Sequence, residues 1–336
     1  MKYVYSRVGQ SVLTILTVVT LGFWMLKAIP GDTADYIRAQ FSRGNQPNPE
    51  RLSQVVEVYT NVNPDQPLYM QYLTYLGKLV RGSMGRSVYF DEKVEVLLAE
   101  ALPWTVFVIG TSLLLMYVLG IFSGAVLALK EGSRFDVSFT LGSITFASIP
   151  YYIFALALIF LFSYQLQWFP TGGHYDELNL SPGLSAEFIV SVLRHAALPV
   201  ASFAIGGIGT VALSMRGNSI QIIGDDFVRV AELRGISQRR IATRYVAHNA
   251  ILPLYTQIVL SIGAVLGGSA ILETVFAYKG VGWILYRAFQ VRDFPLMLGS
   301  FIMLSTAVIV AALIADLTYS KIDPRISLGG EGSESY

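Results

Sequence analysis

The chain has 336 residues, of which 53% are hydrophobic and 14% charged, with a net charge of +1 at pH 7. Soluble globular proteins carry about 25% charged residues, so polar groups could not cover a folded surface of this size, and the near-neutral balance argues against a nucleic-acid partner. With no cysteine there is no disulfide, zinc–thiolate site, iron–sulfur cluster or thiol nucleophile, and the three histidines (His174, His195, His248) show no metal-ligand spacing.

Stretches free of Lys, Arg, Asp and Glu cover residues 8–26, 101–129, 137–173, 196–215, 249–272 and 294–315, which is 19, 29, 37, 20, 24 and 22 positions. A hydrocarbon core of about 30 Å needs about 20 apolar residues, so each stretch can cross a bilayer once. The third ends in the polar, helix-breaking run Gln165–Gly173, and reads as one helix that leaves the membrane near Trp168. The expected fold is an all-α polytopic membrane protein with six transmembrane helices, at about 8–29, 101–129, 137–164, 196–216, 249–272 and 294–317. The first apolar run exceeds the length of a signal-peptide core and lacks a small-residue cleavage site, so it is expected to stay as an anchor. With the N-terminus inside, the cytoplasmic segments hold twelve Lys and Arg, and the short outer loops hold four (Arg194, Lys279, Arg287, Arg292). Both termini are therefore expected in the cytoplasm.

The chain divides into a first helix with a large extracytoplasmic segment (1–100), a five-helix core with a cytoplasmic loop at 216–248 (101–320), and a cytoplasmic tail (321–336). Within the first part, Ile29–Asp32 reads as a turn, Arg43–Pro49 as a loop and Arg51–Tyr59 as a short helix. Leu68, Tyr69, Tyr72, Leu73 and Leu76 fall at helical spacing, a face suited to packing or interfacial anchoring. Residues 174–193 form a shorter outer loop, and Gly329–Tyr336 a flexible tail. The cytoplasmic loop 216–248, with six arginines around a central Gly-Ile-Ser, is long for a connector. It reads equally as a solvated helical hairpin or as a docking surface.

Gradient-driven transporters keep ionisable residues near the membrane midplane, and these spans are almost bare of charge. Glu273 and Asp316 lie near span ends and read as solvated helix termini. There is no phosphate-binding Gly-x-x-x-x-Gly-Lys-Ser/Thr, H-E-x-x-H or G-x-S-x-G pattern. Energy for active transport would have to come from another polypeptide.

The stretch Asp226–Arg240, followed by His248-Asn-Ala-Ile-Leu-Pro253, resembles the EAA loop of ABC importer permeases, in the form found in the oligopeptide/dipeptide (Opp/Dpp) branch. Gly267–Phe276, Gly280-Val-Gly282, Arg292-Asp-Phe-Pro295 and Asp323-Pro-Arg325 continue the likeness. Leu26–Asp32, Asp65-Gln-Pro-Leu68 and Gly82–Ser87 match first-permease (B-type) subunits. Departures fall where the general pattern has an acid, here Arg229, and its first alanine, here Val230. Ala231 and Gly235 keep their places, and Glu232 is an acid close by.

The resemblance implies the ABC type I importer permease fold, with a coupling helix around Asp225–Gly235 that enters a cleft on a cytoplasmic ATPase. Its implied docking residues are Asp226, Arg229, Ala231, Glu232, Gly235, Ile236, Ser237 and Arg240. It also implies no catalytic, cofactor or metal residue in this chain, ATP and Mg²⁺ being bound by partner ATPase subunits. The implied partners are a homologous second (C-type) permease, two ATPase subunits, an extracytoplasmic solute-binding protein and membrane lipid. Peptides lead the implied substrates, ahead of oligosaccharides and nickel chelates. A stand-alone carrier is the competing class, and substrate-path residues stay unassigned. Family members also carry a re-entrant stretch between the last two spans, which 276–293 fits as an amphipathic interfacial helix.

Overall fold

A computed structural model describes residues 2–28, 49–268 and 270–322. The turn expected at 29–32, the loop expected from 43 to 48, Asp323-Pro-Arg325 and the tail at 329–336 lie outside the described residues. In chain order the helices are α1 (Lys2–Ala28), α2 (Pro49–Thr60), α3 (Leu68–Val80), α4 (Val94–Leu129), α5 (Arg134–Ala147) and α6 (Tyr151–Leu158, prolonged by a π-helical turn, Ile159–Gln165). They continue as α7 (Ala186–Ile223), α8 (Asp226–Leu233), α9 (Gln238–Arg240, prolonged by a π-helical turn, Ile241–Ala247), α10 (His248–Gly268), α11 (Ala270–Val275), α12 (Val281–Val291) and α13 (Phe294–Ile322). Among the described residues there is no strand, only an isolated antiparallel bridge between Arg86 and Lys93.

Among the described residues, four helices are long and apolar enough to cross a membrane: Val4–Met25 of α1, α4, α7, and Phe294–Thr318 of α13. The pair α5–α6 makes a fifth when taken as one span bent by 92°. The single helix expected over 137–164 is therefore corrected to a broken one. Pro150 supplies no N–H and disfavours helical backbone at Ile149, so α5 ends at Ala147 and α6 restarts at Tyr151. The span expected at 249–272 corresponds to α10 and α11, on either side of position 269, which lies outside the described residues. The count of six is thus not reached from the described helices alone. α4 starts at Val94 and α7 at Ala186, both ahead of the apolar stretches that marked them, so the loop expected at 174–193 is shorter. Ser185 caps α7 by accepting the Phe188 N–H at 3.2 Å.

Two compact units divide the chain. In the first (residues 1–106, 266–274 and 279–336), α1 and α13 pack antiparallel. A Cβ on Gly22 would lie 2.9 Å from Leu298, and Arg7 meets Asp316 at 3.4 Å, so residues 7 and 316 share one end of the pair. A second apolar cluster joins Val94, Leu98 and Ala101 of α4 to Val281, Ile284 and Ala288 of α12 and Leu296 and Leu304 of α13. Asp293 caps α13, accepting the Leu296 N–H at 3.2 Å, and its other oxygen accepts from the Ser87 hydroxyl at 2.5 Å and the Tyr89 N–H at 3.0 Å. The Arg292–Pro295 and Gly82–Ser87 stretches are thus fastened to each other.

Glu273 is not a solvated helix end, which corrects the sequence reading: it is 0% exposed. Its Oε1 accepts from the Thr105 hydroxyl at 2.8 Å and its Oε2 from the Trp283 N–H at 2.9 Å, while Thr105 Oγ1 accepts the Val281 N–H at 2.8 Å. The carboxylate therefore caps α12 from another helix, and the charge is matched to a helix N-terminus. Asp316, by contrast, is partly exposed beside Arg7.

In the second unit (residues 107–265 and 275–278), α5 and α6 follow α7 in the opposite direction. Their contacts step along it: Asp136 with Arg216, Ser143 against Gly209, Tyr151 with Phe203, and the Trp168 carbonyl accepting from Arg194. This end-to-end register supports reading the pair as one broken span. The Arg216 guanidinium donates to both oxygens of buried Asp136, at 2.7 and 2.8 Å. α10 is tied to α4 by Tyr117 and Ser261 at 2.7 Å, and to α7 by Asn218 Nδ2 donating to the Ala250 carbonyl at 3.1 Å.

Candidate functional site

The cytoplasmic loop of the sequence reading folds as α7, a short turn, α8, a second turn and α9. α8 starts after Asp225, and Asp225 and Asp226 place negative charge at its N-terminus, where the helix dipole favours it. It ends in a Schellman motif: the Gly235 N–H donates to the Glu232 carbonyl at 2.9 Å and the Ile236 N–H to the Ala231 carbonyl at 3.2 Å. Gly235 has φ +71°, a left-handed conformation that glycine adopts without a Cβ penalty. Ile236 then packs back on the helix, in a cluster of Val228, Ala231, Ile241 and Val246 with Ile222 and Tyr245. The chain re-enters a helix at once, the Arg240 N–H donating to the Ser237 carbonyl at 2.9 Å.

These contacts give the short helix an inner and an outer face. Ala231 is 3% exposed and Val228 equally hidden, so Ala231 anchors α8 to its own chain, as half-buried Ile236 does. Asp226, Arg229, Glu232, Gly235, Ser237 and Arg240 are exposed, and the Gln238 amide donates to Glu232 at 3.4 Å. Among the described residues, Arg229, Arg234, Arg239 and Arg240 make no ion pair with an acid. The sequence reading missed the outward apolar residues Phe227, Val230 and Leu233; Leu233 is 83% exposed. Their i, i+3, i+6 spacing was the available signal, masked because Val228 and Ala231 repeat it one position on. A solvent-facing helix of eight residues gains nothing from three bare apolar side chains, whereas a cleft on a partner would cover them.

A π-helical turn, Ile241–Ala247, leads directly into α10, and its Tyr245 carbonyl accepts from the Asn249 amide at 2.6 Å. The π-helical turn, rare in helices and frequent at functional sites, joins the α8 hairpin to an apolar helix. Above it, Met215, Ala250 and Leu254 form a buried cluster between α7 and α10. The arrangement fastens α8 to the helices that bracket it.

Comparison with known proteins bears on the whole length. Residues 116–328 match the family described as the inner membrane component of binding-protein-dependent transport systems, and residues 1–90 match the N-terminal part of such membrane components. A protein of Brucella suis biovar 1 (strain 1330) named "Putative peptide permease protein" is 31% identical over 332 residues, covering 98% of this chain and 99% of that one. The di/tripeptide transport system permease protein DppB of Pseudomonas aeruginosa (strain UCBPP-PA14) is 29% identical, covering 97% and 98%. The oligopeptide transport system permease protein AppB of Bacillus subtilis (strain 168) is 30% identical, covering 96% and 98%. The chain therefore belongs to the inner membrane components of binding-protein-dependent transport systems, as an ABC permease of the oligopeptide/dipeptide type.

Proposed function

We propose that this chain is the B-type membrane subunit of an ATP-driven importer that takes up di- and oligopeptides handed over by a solute-binding protein. It pairs with a homologous C-type permease, and two ATPase subunits bind the ATP and Mg²⁺. α8 seats in a cleft on one ATPase, and closure of the ATPase pair rocks the spans between inward- and outward-facing states. Peptide as the substrate class is supported by full-length similarity to proteins named as peptide permeases. A cytoplasmic position for α8 and both termini is supported by the twelve-to-four excess of Lys and Arg.

The observation that carries the coupling role is the two-faced α8: Val228 and Ala231 fix it to the chain, while Phe227, Val230 and Leu233 face outward beside Arg229. Leu233→Ser tests it. A side chain so exposed should leave stability within ~0.5 kcal/mol. The variant should keep its melting temperature in detergent, lose co-purification with the ATPase subunits, and lose peptide uptake in reconstituted vesicles. Normal uptake with normal ATPase recovery would refute the docking role. Wild-type uptake should stop on ATP depletion and survive an uncoupler; the reverse pattern would make the chain a gradient-driven carrier.

A further inference from the structure

α3 lies in the segment that the sequence assigns to the extracytoplasmic side, yet its surroundings are those of a membrane. Its inner face packs on two spanning helices, through a cluster in which Tyr75 joins Val19 and Phe23 of α1 and Leu298 and Ile302 of α13. The Tyr72 hydroxyl and Thr20 Oγ1 share a hydrogen bond of 2.6 Å. The apolar span of α1 runs to Met25, and that of α13 begins at Phe294. At ~1.5 Å per residue, Thr20 lies about 8 Å inside the end of one span and Ile302 about 12 Å inside the end of the other. α3 therefore abuts both helices within their apolar length.

Its other face is apolar as well. Tyr69 is 63% and Leu73 57% exposed, with Met70 beside them, and no charged residue occurs between Leu68 and Gly77. Gln71, the amide in this stretch, turns inward and donates to the Gln66 carbonyl at 2.7 Å. A helix that faces water on one side should carry polar residues there, and one that is apolar all round belongs in a core or a bilayer. Trp24 of α1 stands beside Tyr72, and Leu21, Trp24 and Met25 are exposed side chains on that apolar helix. The rings of Trp24 and Tyr72 lie 6.4 Å apart, which groups aromatic side chains at one depth, as at a membrane–water boundary.

We infer that α3 is an interfacial helix, set in the leaflet at which α1 ends and α13 begins, with Tyr69, Met70 and Leu73 in contact with lipid acyl chains. The occupant of this face is the lipid surface itself. Depths of about 8–12 Å overlap the deep end of the roughly 5–10 Å to which amphipathic helices sink at the acyl boundary. α3 thereby anchors the segment that follows α1 to the membrane plane.

The chain has no cysteine, so each introduced one is a unique label site. Tyr69→Cys, Met70→Cys and Leu73→Cys, with Glu92→Cys as an exposed control in the same segment, are spin-labelled in the full chain reconstituted in phosphatidylcholine–phosphatidylglycerol nanodiscs. Collision with oxygen and with a water-soluble nickel chelate is then compared. Lipid contact predicts high oxygen and low nickel accessibility at 69, 70 and 73, with the opposite order at 92. Nickel accessibility at 69 and 73 equal to that at 92 would overturn the inference in favour of water. Low accessibility to both reagents would overturn it in favour of a covering protein. The three sites are read independently, so one poorly folded variant leaves the test intact.

Discussion

Gly235 shows how one residue decides a local fold. A Cβ there would meet nothing within 4 Å, so the position is not crowded; what it needs is φ +71°. An L side chain in that conformation costs about 1–2 kcal/mol, and asparagine tolerates it best. Gly235→Asn should keep most uptake and Gly235→Ala lose part of it. Gly235→Trp should lose nearly all, because its ring would project from the outer face of α8 into the space proposed for the ATPase. All three should reach the membrane in equal amounts by immunoblot; a Trp variant as active as the Asn variant would show that the space is empty. Arg216 makes a different kind of case. Removing it by Arg216→Met leaves Asp136 buried among apolar helices without its bidentate partner, and charges stripped of a partner are strongly destabilising. The single variant should melt several degrees lower in detergent. Adding Asp136→Asn should recover most of the loss, since the double variant buries no charge.

At the scale of elements, α12 is held by its N-terminus. A Cβ on Gly280 would collide with Thr105 Oγ1 and lie 2.5 Å from Glu273 Oε2, and one on Gly282 would lie 2.7 Å from the Ala270 backbone. Gly280→Ala must therefore push the carboxylate off the Trp283 N–H. Glu273→Gln replaces one acceptor oxygen with a donor facing a donor. Either should loosen α12, seen as faster amide hydrogen exchange over 281–291 than over α13, with a loss of about 1–3 kcal/mol from the unsatisfied groups. Unchanged exchange in both would mean that packing of Val281, Ile284 and Ala288 suffices to hold the helix.

The same element shows where sequence reading stops. The run from 276 to 293 was legible as an amphipathic helix, and α12 lies within it. Glu273 looked like a solvated helix end because its partner Thr105 is 168 positions away. The Ser87 partner of Asp293 is 206 positions away. Such pairs are set by tertiary packing, and a local window cannot hold both members. The apolar stretches pointed to the four helices that are long and apolar enough to span, because the cost of charge in a bilayer is written into every position. The start of α7 was misplaced for the converse reason: Glu187 and Arg194 end an uncharged run without ending a helix. In the α8 hairpin, the glycine and its neighbours were legible, and which residues face out was not, because both faces of that short helix are apolar.

For the whole molecule, sidedness is the property on which the importer reading depends, and the charge asymmetry commits it. The proposed sidedness, with α8 in the cytoplasm and the stretch between α6 and α7 outside, rests on twelve Lys and Arg on one side against four in the short loops of the other. Leu233 is 83% exposed on α8, and Leu178 is 95% exposed between α6 and α7, so cysteines at these two positions would be open to reagents from whichever side they face. With no native cysteine to compete, a membrane-impermeant maleimide should label Leu178→Cys in intact spheroplasts, and Leu233→Cys only in inverted vesicles. Labelling at 178 should be indifferent to the ATPase subunits. At 233 it should slow markedly when they are co-produced, because a cleft that covers Phe227, Val230 and Leu233 also covers the thiol. The reverse sidedness would turn the arginine-rich hairpin away from any ATPase and remove the coupling role. The expected sidedness without protection would keep the topology and move the docking surface elsewhere on the cytoplasmic face.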